Sequence, residues 1–510
     1  MKKLLKRLIK IVTSRMFIMF LIVLVEFIWL WSLFARFRAQ AAWIDTVIRV
    51  LSMIVILVIL KRSKHLSSDI MWILLIAVLP IPGTVFYLVA GADILSSRTY
   101  HAINTEILAA RPLYKQDPEV LEKAASLDPT LAGQFHYLSA EAGFPLYGGT
   151  DADYFPLGDL GFPQILEELS KARTFIFLEY FIVGSGYVWD SIVAILEEKV
   201  KQGVEVRVIY DDMGSMNTLP LNYAKTLEAK GIKAIAFNRI SPFVNVVMNH
   251  RDHRKILVID GHTAFSGGIN LADEYVNRKR RFGHWKDNVI KIRGDAVWSM
   301  TVMFLTIWNA VRHEDPDYTV FRNTRTVKNS GFIAPYYDTP LDDENVGEHV
   351  YLNILGQARE YVYILTPYLI IDTEMLSALT LAAKRGVKVK LVLPGIPDKR
   401  IANETTKSFY TELIDEGIEI YEYTPGFVHS KIFLCDDTVA TVGTINLDFR
   451  SLYLNFENGV YLYRCDALKD IRNDFETTFK ACKKISRDEA EVGYLRELFR
   501  AALRVIAPEM

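Results

Sequence analysis

A short pattern occurs twice in this sequence, and the duplication constrains the fold more than any other feature. Residues Asp252–Asp260 read DHRKILVID, and residues Val428–Asp437 read VHSKIFLCDD. Each copy has a histidine and a lysine two residues apart, followed by an apolar run that ends in an aspartate: His253, Lys255 and Asp260 in the first copy, and His429, Lys431 and Asp436 in the second. A long-period repeat predicts two related structural units in one chain.

Strand and helix patterns alternate before each copy. Ala172–Val183 is rich in β-branched and aromatic residues, which is typical of a strand, and the helical spacing that follows it ends at Gly203. The same order recurs in the second half, where the helical spacing ends at Gly386. Strands that alternate with helices predict an α/β fold of two similar α/β/α halves with largely parallel sheets.

The order of these patterns also predicts domain boundaries. The first α/β half is expected at residues 146–321 and the second, with a C-terminal helix, at residues 344–510. Residues 322–343 are polar, with several Thr, Asn and Pro, and are predicted to be a linker. Residues 96–145 have a mixed, helical composition and are predicted to be a helical connector.

Residues 1–95 hold most of the apolar excess of the chain, in which 51% of residues are apolar although 23% are charged. Three apolar runs occupy Met16–Phe34, Trp43–Leu60 and Ile70–Gly91. Because a helix needs about 20 apolar residues to cross a bilayer, we predict an anchor of two to three transmembrane segments and a multi-pass protein of the cell membrane.

Two points about this anchor stay open. The first run resembles a signal peptide, but it is too long for one and further apolar runs follow, which favours a retained anchor. The prolines Pro80 and Pro82 and the glycine Gly83 interrupt the third run. That run either spans the bilayer or lies in its surface, so the side of the membrane on which the catalytic region lies is not fixed.

Charge and cysteine content exclude several classes of function. The net charge is −1, so no overall positive field favours nucleic acid as a partner. The three cysteines, Cys435, Cys465 and Cys482, have neither metal-ligand spacing nor the pattern of a disulfide framework. We therefore expect no metal and no nucleic acid.

The repeated motif suits the chemistry of an anion. Alternate side chains of a strand share a face, so His253 lies beside Lys255, and His429 beside Lys431. A lysine provides positive charge for a phosphate oxygen. A histidine can attack phosphorus or transfer a proton near neutral pH.

Further polar residues follow each motif. Asn270 and Asn446 each end a segment of small residues, where a phosphate can approach the backbone and the amide can donate to it. Asp287 and Glu457 come later and are candidates to orient an imidazole. Asp260 begins a hairpin-turn signal with Gly261, so the spacing makes it a strand-end residue rather than a partner of His253.

These motifs resemble the signature of the phospholipase D superfamily, in which His-x-Lys-x4-Asp is followed by a Gly-rich turn and Asn. The resemblance covers residues 147–479. More narrowly, three segments resemble bacterial cardiolipin synthases: LPIPGTVFYLVAGADI, FLEYFI and GTINLDFRSLYLNFE. The additional first apolar run departs from the usual two, which leaves the membrane topology open.

The resemblance implies that two phospholipase D-like halves form one active site. His253 is then the nucleophile that forms a phosphatidyl-histidine, and His429 is the acid and base. The phosphate is neutralised by Lys255, Lys431, Asn270 and Asn446, and four carboxylates support the site: Asp260, Asp436, Asp287 and Glu457. The catalytic set of the prediction comprises His253, Lys255, Asp260, His429, Lys431 and Asp436.

The resemblance also implies the substrates. Two molecules of phosphatidylglycerol in a membrane bilayer would give cardiolipin and glycerol, without a cofactor. A hydrolytic phospholipase D, which uses water as the acceptor, and another phosphatidyltransferase of the superfamily are the alternatives. The acyl-chain preference and the oligomeric state are not determined by the sequence.

Overall fold

The computed structural model of the chain describes residues 28, 32, 42–62, 66–88, 98–239, 250–325, 327–328 and 331–509. The chain falls into two compact units, Met1–Ser97 with Ile240–Asn249 and Arg98–Arg239 with His250–Met510. All residues of the predicted catalytic set belong to the second unit.

The described part of the first unit is helical. Its helices are α1 (Ala42–Arg62), α2 (Leu66–Val78) and α3 (Pro80–Phe86). The third apolar run is divided where Pro80 begins α3, because a proline suits the first turn of a helix better than its interior. A small core of Ile59, Trp72 and Ile76 joins α1 to α2.

None of the helices in the described part of the chain combines enough length with enough hydropathy to cross a membrane. The structure therefore does not show the transmembrane segments predicted within residues 1–95. The first predicted segment, Met16–Phe34, lies outside the described residues except for positions 28 and 32.

The second unit contains two mixed β-sheets. The strands of the first half are β1 (Thr150–Phe155), β2 (Phe175–Tyr180), β3 (Glu205–Asp211), β4 (Lys233–Phe237), β5 (Lys255–Ile259), β6 (Thr263–Gly267), β7 (His284–Lys286) and β8 (Val289–Gly294). Seven of them form a sheet in the order β1-β8-β6-β5-β2-β3-β4, and β7 lies outside it.

The second half repeats this arrangement. Its strands are β9 (Phe332–Asp338), β10 (Tyr361–Leu365), β11 (Leu369–Ile370), β12 (Lys388–Pro394), β13 (Glu419–Tyr423), β14 (Gly426–Val428), β15 (Ile432–Cys435), β16 (Val439–Gly443), β17 (Leu447–Asp448), β18 (Glu457–Tyr463) and β19 (Cys482–Lys484). The main sheet has the order β19-β13-β12-β10-β15-β16-β18-β9.

Seven strands of the second sheet, β9-β18-β16-β15-β10-β12-β13, correspond in order to the seven strands of the first, and β19 is an additional edge strand. This confirms the prediction of two similar halves. In each sheet three parallel strands, β2-β3-β4 or β10-β12-β13, adjoin an antiparallel hairpin that begins with the repeated motif. The expectation of largely parallel sheets was wrong, because the hairpins β5-β6 and β15-β16 and the strands beside them pair antiparallel.

Part of the predicted linker, Phe332–Asp338, is itself the edge strand β9. The predicted domain boundaries remain predictions.

Helices cover the sheets. The helices of the connector and first half are α4 (Arg98–Ala110), α5 (Pro118–Leu127), α6 (Ala132–His136), α7 (Gly158–Lys171), α8 (Tyr187–Lys201), α9 (Asp212–Ser215), α10 (Tyr223–Glu228) and α11 (Val297–Arg312). Those of the second half are α12 (Val346–Gln357), α13 (Thr373–Lys384), α14 (Arg400–Lys407), α15 (Tyr410–Asp415), α16 (Ala467–Lys480), α17 (Arg487–Ala490) and α18 (Tyr494–Ile506).

Local signals in the sequence explain where several of these helices begin and end. The predicted ends at Gly203 and Gly386 are confirmed: both follow a helix, α8 or α13, in the left-handed region, with φ of 86° and 90°. Glycine adopts this conformation without steric cost. At the start of α13 the Asp372 carboxylate accepts the Met375 N–H, which caps the helix.

The two halves share a core and a buried ion pair. Helix α11 is buried from Val297 to Ala310 and contacts strands of the first sheet and also β9 of the second. Elsewhere Lys286 of β7 lies 2.7 Å from both carboxylate oxygens of Asp474, which belongs to α16 in the second half. Tyr154 also donates to Asp474, at 2.6 Å.

We expect Lys286→Met to destabilise the protein by about 3–5 kcal/mol, because the substitution leaves the Asp474 carboxylate buried without its cation. The double variant Lys286→Met/Asp474→Leu removes both charges and should recover most of that loss. The measurement is the free energy of unfolding from denaturant titration in detergent. The matched control is Lys171→Met, which breaks an exposed pair with Glu167 and should cost less than about 1 kcal/mol. Equal losses in the two single variants would contradict the prediction.

Candidate active site

Two buried histidines lie where the two halves meet. His253 precedes β5 and is 7% exposed, and His429 lies between β14 and β15 and is 9% exposed. Each is followed two residues later by a lysine, Lys255 or Lys431, that is 1% exposed. The four side chains are therefore largely shielded from bulk solvent, and the two histidines are slightly more exposed than the lysines.

Each imidazole is held by a carboxylate from the other half. Nδ1 of His253 lies 2.9 Å and 2.8 Å from the two carboxylate oxygens of Glu457. Nδ1 of His429 lies 2.8 Å from Oδ2 of Asp287. When Nδ1–H donates to a carboxylate, Nε2 keeps its lone pair, which is the form that a nucleophile or a general base needs.

The backbone reinforces both crossed pairs. The N–H of His253 donates to the carbonyl oxygen of Phe456 at 2.9 Å, and the N–H of His429 donates to that of Lys286 at 2.8 Å. In each case the acceptor is the residue immediately before the orienting carboxylate. Strands β7 and β14 extend the second contact as a short parallel ladder between the halves. The imidazole and its carboxylate are thus fixed relative to each other from both backbone and side chain.

Other donors complete the environment of the two carboxylates. Glu457 accepts hydrogen bonds from the hydroxyl of Thr444 and, at 3.2 Å, from the amide of Asn455. Asp287 accepts from the N–H of Asn288 at 2.9 Å and from the indole N–H of Trp285 at 3.3 Å. Both carboxylates are fully buried, so these donors replace the water that a carboxylate would otherwise bind.

Gly268 makes room for one of these carboxylates. A Cβ at this position would lie 1.8 Å from Oδ1 of Asp287 and 2.9 Å from the carbonyl oxygen of His429. Any side chain would therefore displace Asp287 from His429. This explains why the segment after the first motif carries small residues, as the sequence indicated.

Each lysine contacts the backbone of its own motif and acts electrostatically on the histidine of the other. Nζ of Lys255 donates to the carbonyl oxygen of His253 at 2.7 Å, and Lys431 donates to that of His429. Lys431 also lowers the pKa of His253, and Lys255 that of His429, after the larger effect of burial. Because charge acts across the boundary in both directions, the two motifs belong to one electrostatic site.

Burial determines the protonation of this site. It lowers the pKa of His253 to about 4 and that of His429 to about 3, and it lowers the pKa of Lys255 to about 8 and that of Lys431 to about 7. Both imidazoles are neutral at pH 7. Binding of an anion would stabilise the charged forms of all four groups and raise their pKa values.

The two predicted phosphate-binding asparagines each keep an amide atom unused. Oδ1 of Asn270 accepts the N–H of Ile182 at 3.0 Å, and within the described chain its buried Nδ2 has no hydrogen-bond partner of normal geometry. Nδ2 of Asn446 lies 3.0 Å from the hydroxyl of Ser451, and its Oδ1 is the buried atom without a partner. Since a hydroxyl can accept or donate, a rotated Asn446 amide also presents Nδ2 to a phosphate.

Asp260 and Asp436 lie at the far ends of the hairpin strands from the histidines. Asp260 accepts the backbone N–H groups of Arg173, Thr174 and Phe175, at 2.8, 2.7 and 3.1 Å. Asp436 does the same for Arg359, Glu360 and Tyr361, at 2.8, 3.0 and 2.7 Å. Each aspartate therefore fixes the motif strand to the start of β2 or β10. Their inclusion in the predicted catalytic set remains a prediction, and these contacts indicate a positioning role.

Sequence reasoning missed the aromatic walls of the site. The ring of Phe181 lies 5.0 Å from that of His253, and the rings of Tyr275, Trp285 and Phe427 lie 5.4, 5.5 and 6.0 Å from that of His429. These walls exclude water and account for the low imidazole pKa values. Trp285 and Phe427 stand within two residues of Asp287 and His429, and this spacing was the available signal.

A buried charged cluster behind His253 was missed as well. Arg254 lies 2.5 Å from Glu179 and 3.2 Å from Asp252, while Asp211 accepts the N–H of Asp252 at 3.2 Å. These contacts fix the segment that enters β5. In the described part of the chain, no group of three or more His, Cys, Asp or Glu side chains has the arrangement of a metal site.

Removal of the charge on either orienting carboxylate should lower kcat strongly. We expect Glu457→Gln and Asp287→Asn each to lower kcat by about 10²–10⁴-fold with a smaller change in KM, because an amide of the same shape no longer selects the required imidazole tautomer. The measurement is steady-state turnover of a phosphodiester substrate. Glu122→Gln, on the exposed side of α5, is the matched control and should leave kcat unchanged. A kcat within a few-fold of wild type in both amide variants would contradict the crossed-pair geometry.

Anion binding should draw protons into the site. At pH 8 Lys255 is about half protonated and Lys431 is mostly neutral, so binding of tungstate, a tetrahedral oxyanion, should raise both pKa values and take up protons. Calorimetry in buffers of different ionisation enthalpy measures this uptake. Lys431→Arg carries a permanent charge, so it should bind tungstate with less uptake. Equal uptake in this variant and the wild type would show that Lys431 is already charged.

Two segments of the second unit and one of the first match known protein families. Residues 165–294 and 351–479 match the family described as cardiolipin synthase, PLD-like domain. Residues 50–91 match a family described as phospholipase D-nuclease N-terminal. The first match includes both copies of the His-x-Lys motif and both orienting carboxylates.

Individual relatives agree with the family match. An uncharacterised protein of Streptococcus mutans is 44% identical over 456 residues, covering 89% of this chain and 99% of that protein. A cardiolipin synthase of Halalkalibacterium halodurans is 34% identical over 430 residues, covering 82% of this chain and 84% of that protein. The crystal structure of phosphatidylserine synthase from Haemophilus influenzae has a TM-score of 0.56 at 14% identity, covering 71% of this chain and 95% of that one, and therefore shares the fold.

Proposed function

This chain belongs to the family of cardiolipin synthases with phospholipase D-like domains and is a phosphatidyltransferase, and we propose that it transfers a phosphatidyl group from one phosphatidylglycerol to another, giving cardiolipin and glycerol. One observation carries the proposal. Two imidazoles, each oriented by a carboxylate of the other half, lie beside two buried lysines. A phosphodiester is the anion that such a site can both bind and attack.

The first step forms a covalent intermediate. Nε2 of His253 attacks the phosphorus of the first phosphatidylglycerol, so a P–N bond forms as the P–O bond to glycerol breaks. His429 donates a proton to the departing glycerol oxygen. The bound phosphodiester raises the pKa of His429 from its low value, which allows this imidazole to hold the proton when the substrate is present.

The second step regenerates the enzyme. His429, now neutral, takes the proton of a hydroxyl on the second phosphatidylglycerol, and the oxygen attacks phosphorus as the P–N bond breaks. One phosphodiester replaces another, so the transfer balances without ATP and without a change of oxidation state. The glycerol released in the first step is the other product.

Four cationic and amide groups stabilise the phosphoryl group in both transition states. Lys255 and Lys431 provide charge in a water-excluded site, where a charge acts more strongly than in water. Asn270 offers its unpartnered Nδ2, and Asn446 offers its Nδ2 after rotation of the amide. Glu457 and Asp287 stabilise whichever imidazole carries positive charge.

The substrate lipid places the protein at a bilayer, and we propose that residues 1–95 form a multi-pass anchor in the cell membrane. The apolar runs of the sequence and the family match at residues 50–91 support this location. An anchored protein stays in the membrane fraction at high salt and at alkaline pH and is released by detergent. Release by salt alone would contradict the anchor but not the chemistry.

The decisive experiment is product analysis by mass spectrometry with vesicles of pure phosphatidylglycerol. Cardiolipin and glycerol should form in equal amounts, whereas phosphatidic acid as the main product would identify a hydrolytic phospholipase D. His253→Ala and His429→Ala should each lower product at least about 10³-fold. His101→Ala, on the exposed side of α4, should retain activity. Substantial transfer by either site variant would contradict the two-histidine mechanism.

A further inference from the structure

The C-terminal helix α18 packs against the rest of the protein through its charged side, whereas an ordinary surface helix packs through its apolar side. Arg496 and Arg500 pair with Glu404 of α14 at 2.5 and 3.1 Å. Arg504 donates to the carbonyl oxygen of Ser408 at 2.5 Å and lies 3.2 Å from Glu412. The basic side of the helix is therefore the side that docks on the second half.

The opposite side of α18 is apolar and exposed. We call it the outer face, and its residues, with their exposed fractions, are Tyr494 (76%), Leu495 (81%), Leu498 (57%), Phe499 (52%) and Ile506 (44%). A helix on a globular surface normally buries its apolar stripe and exposes its charges. Here ion pairs hold the helix so that the apolar stripe points away from the domain, which is unfavourable in water unless another apolar phase covers it.

We propose that the outer face of α18 is a docking surface for the phospholipid bilayer, with the helix lying in the membrane interface. Leucine and isoleucine suit the acyl region, and Tyr494 and Phe499 suit the boundary with the headgroups. The inference rests on the proposed function to this extent: a protein that acts on lipid headgroups must bring its active site to the bilayer surface.

The size of the outer face favours a bilayer over a second copy of the chain. Large apolar and aromatic residues have about 200 Å² of accessible surface each, so the five exposed fractions amount to about 600 Å² per copy. Two such faces would bury at most about 1,200 Å², the lower end of the range for a stable protein interface, of which about 1,600 Å² is typical, and only if every exposed atom of both faces were covered. A bilayer covers the same face without requiring a complementary partner surface.

The start of α14, the helix to which α18 is docked, also exposes apolar side chains together with positive charge. Ile396 and Ile401 are 40% and 59% exposed, and the exposed cations Lys399 and Arg400 stand between them in the sequence. Cations near apolar side chains attract anionic lipid headgroups. Phosphatidylglycerol, the proposed substrate, carries such a charge.

The docking surface is connected to the active site through two elements. Helix α14, against which α18 packs, also packs against β11. Strand β11 pairs with β17, which begins immediately after Asn446. Tyr368, just before β11, lies 6.4 Å from Phe427, the residue whose ring lines the His429 side of the site. Docking of α18 would thus hold the active site at a defined distance from the lipid headgroups.

The proposal is tested by measuring the depth of α18 in the bilayer. The full chain carries Cys482→Ser, since Cys435 and Cys465 are buried, and a spin label at Leu498→Cys. It is reconstituted in phosphatidylglycerol vesicles. We expect the label to be accessible to oxygen, which dissolves in the bilayer, and several-fold less accessible to a water-soluble nickel chelate than a label at position 497 of the same chain. The matched label is Glu497→Cys, one residue earlier on the flank of the helix, which should stay accessible to the chelate.

Each alternative result overturns the proposal in a distinct way. Equal chelate access at positions 497 and 498 means that the outer face remains in water. Dipolar broadening between labels on two chains, without oxygen access, means that a second copy covers it. The depth of the label does not depend on turnover, so failure of this measurement is separate from failure of the proposed function.

A second variant gives a catalytic readout. Leu495→Glu/Phe499→Glu should lower turnover on vesicles about tenfold or more, because two exposed apolar side chains that would enter the lipid are replaced by carboxylates. The same variant should turn over a short-chain monodisperse phosphatidylglycerol at the wild-type rate, since neither residue touches the active site. Equal rates of variant and wild type on vesicles would overturn the docking role.

Discussion

The hydrogen bonds that cross between the two halves determine the rest of this structure. His253 depends on Glu457 and His429 depends on Asp287, so neither half holds a correctly oriented imidazole by itself. The backbone contacts of Phe456 and Lys286 fix the same two junctions. A structure in which the halves separated would lose both reactive groups at once. The shared helix α11 and the Lys286–Asp474 pair stabilise the junction on which these contacts depend.

The site concentrates ionisable groups where water is excluded, and its chemistry follows from that arrangement. Burial keeps the imidazoles neutral and lowers the pKa values of the two lysines. The two histidines and two lysines therefore carry less positive charge here than the same side chains would carry in water. An arriving phosphodiester supplies the negative charge that makes protonation favourable. Electrostatic stabilisation then appears together with the substrate, in a low-dielectric environment where it is strongest.

Much of the candidate site could be predicted from the sequence because its residues occur in short motifs. His253 with Lys255, and His429 with Lys431, lie where a strand brings alternate residues to one face, and the two asparagines follow at matching positions. The aromatic walls and the buried cluster of Glu179, Asp211 and Arg254 could not be predicted, because their members come from separate strands. The prediction of largely parallel sheets was wrong because hairpin turns at Asp260 and Asp436 reverse the chain, so that the two strands of each hairpin pair antiparallel.

The sequence by itself determined that there are two equivalent halves and which residue types carry the chemistry, because repeats, periodicity and motif spacing are local properties. Only the tertiary structure decided that Glu457 serves His253 and Asp287 serves His429. Each of these pairs joins segments from different halves, and no local spacing encodes which half supplies the partner. The same holds for α18, whose apolar face is evident in the sequence but whose outward direction is set by Glu404 and Glu412 on neighbouring helices.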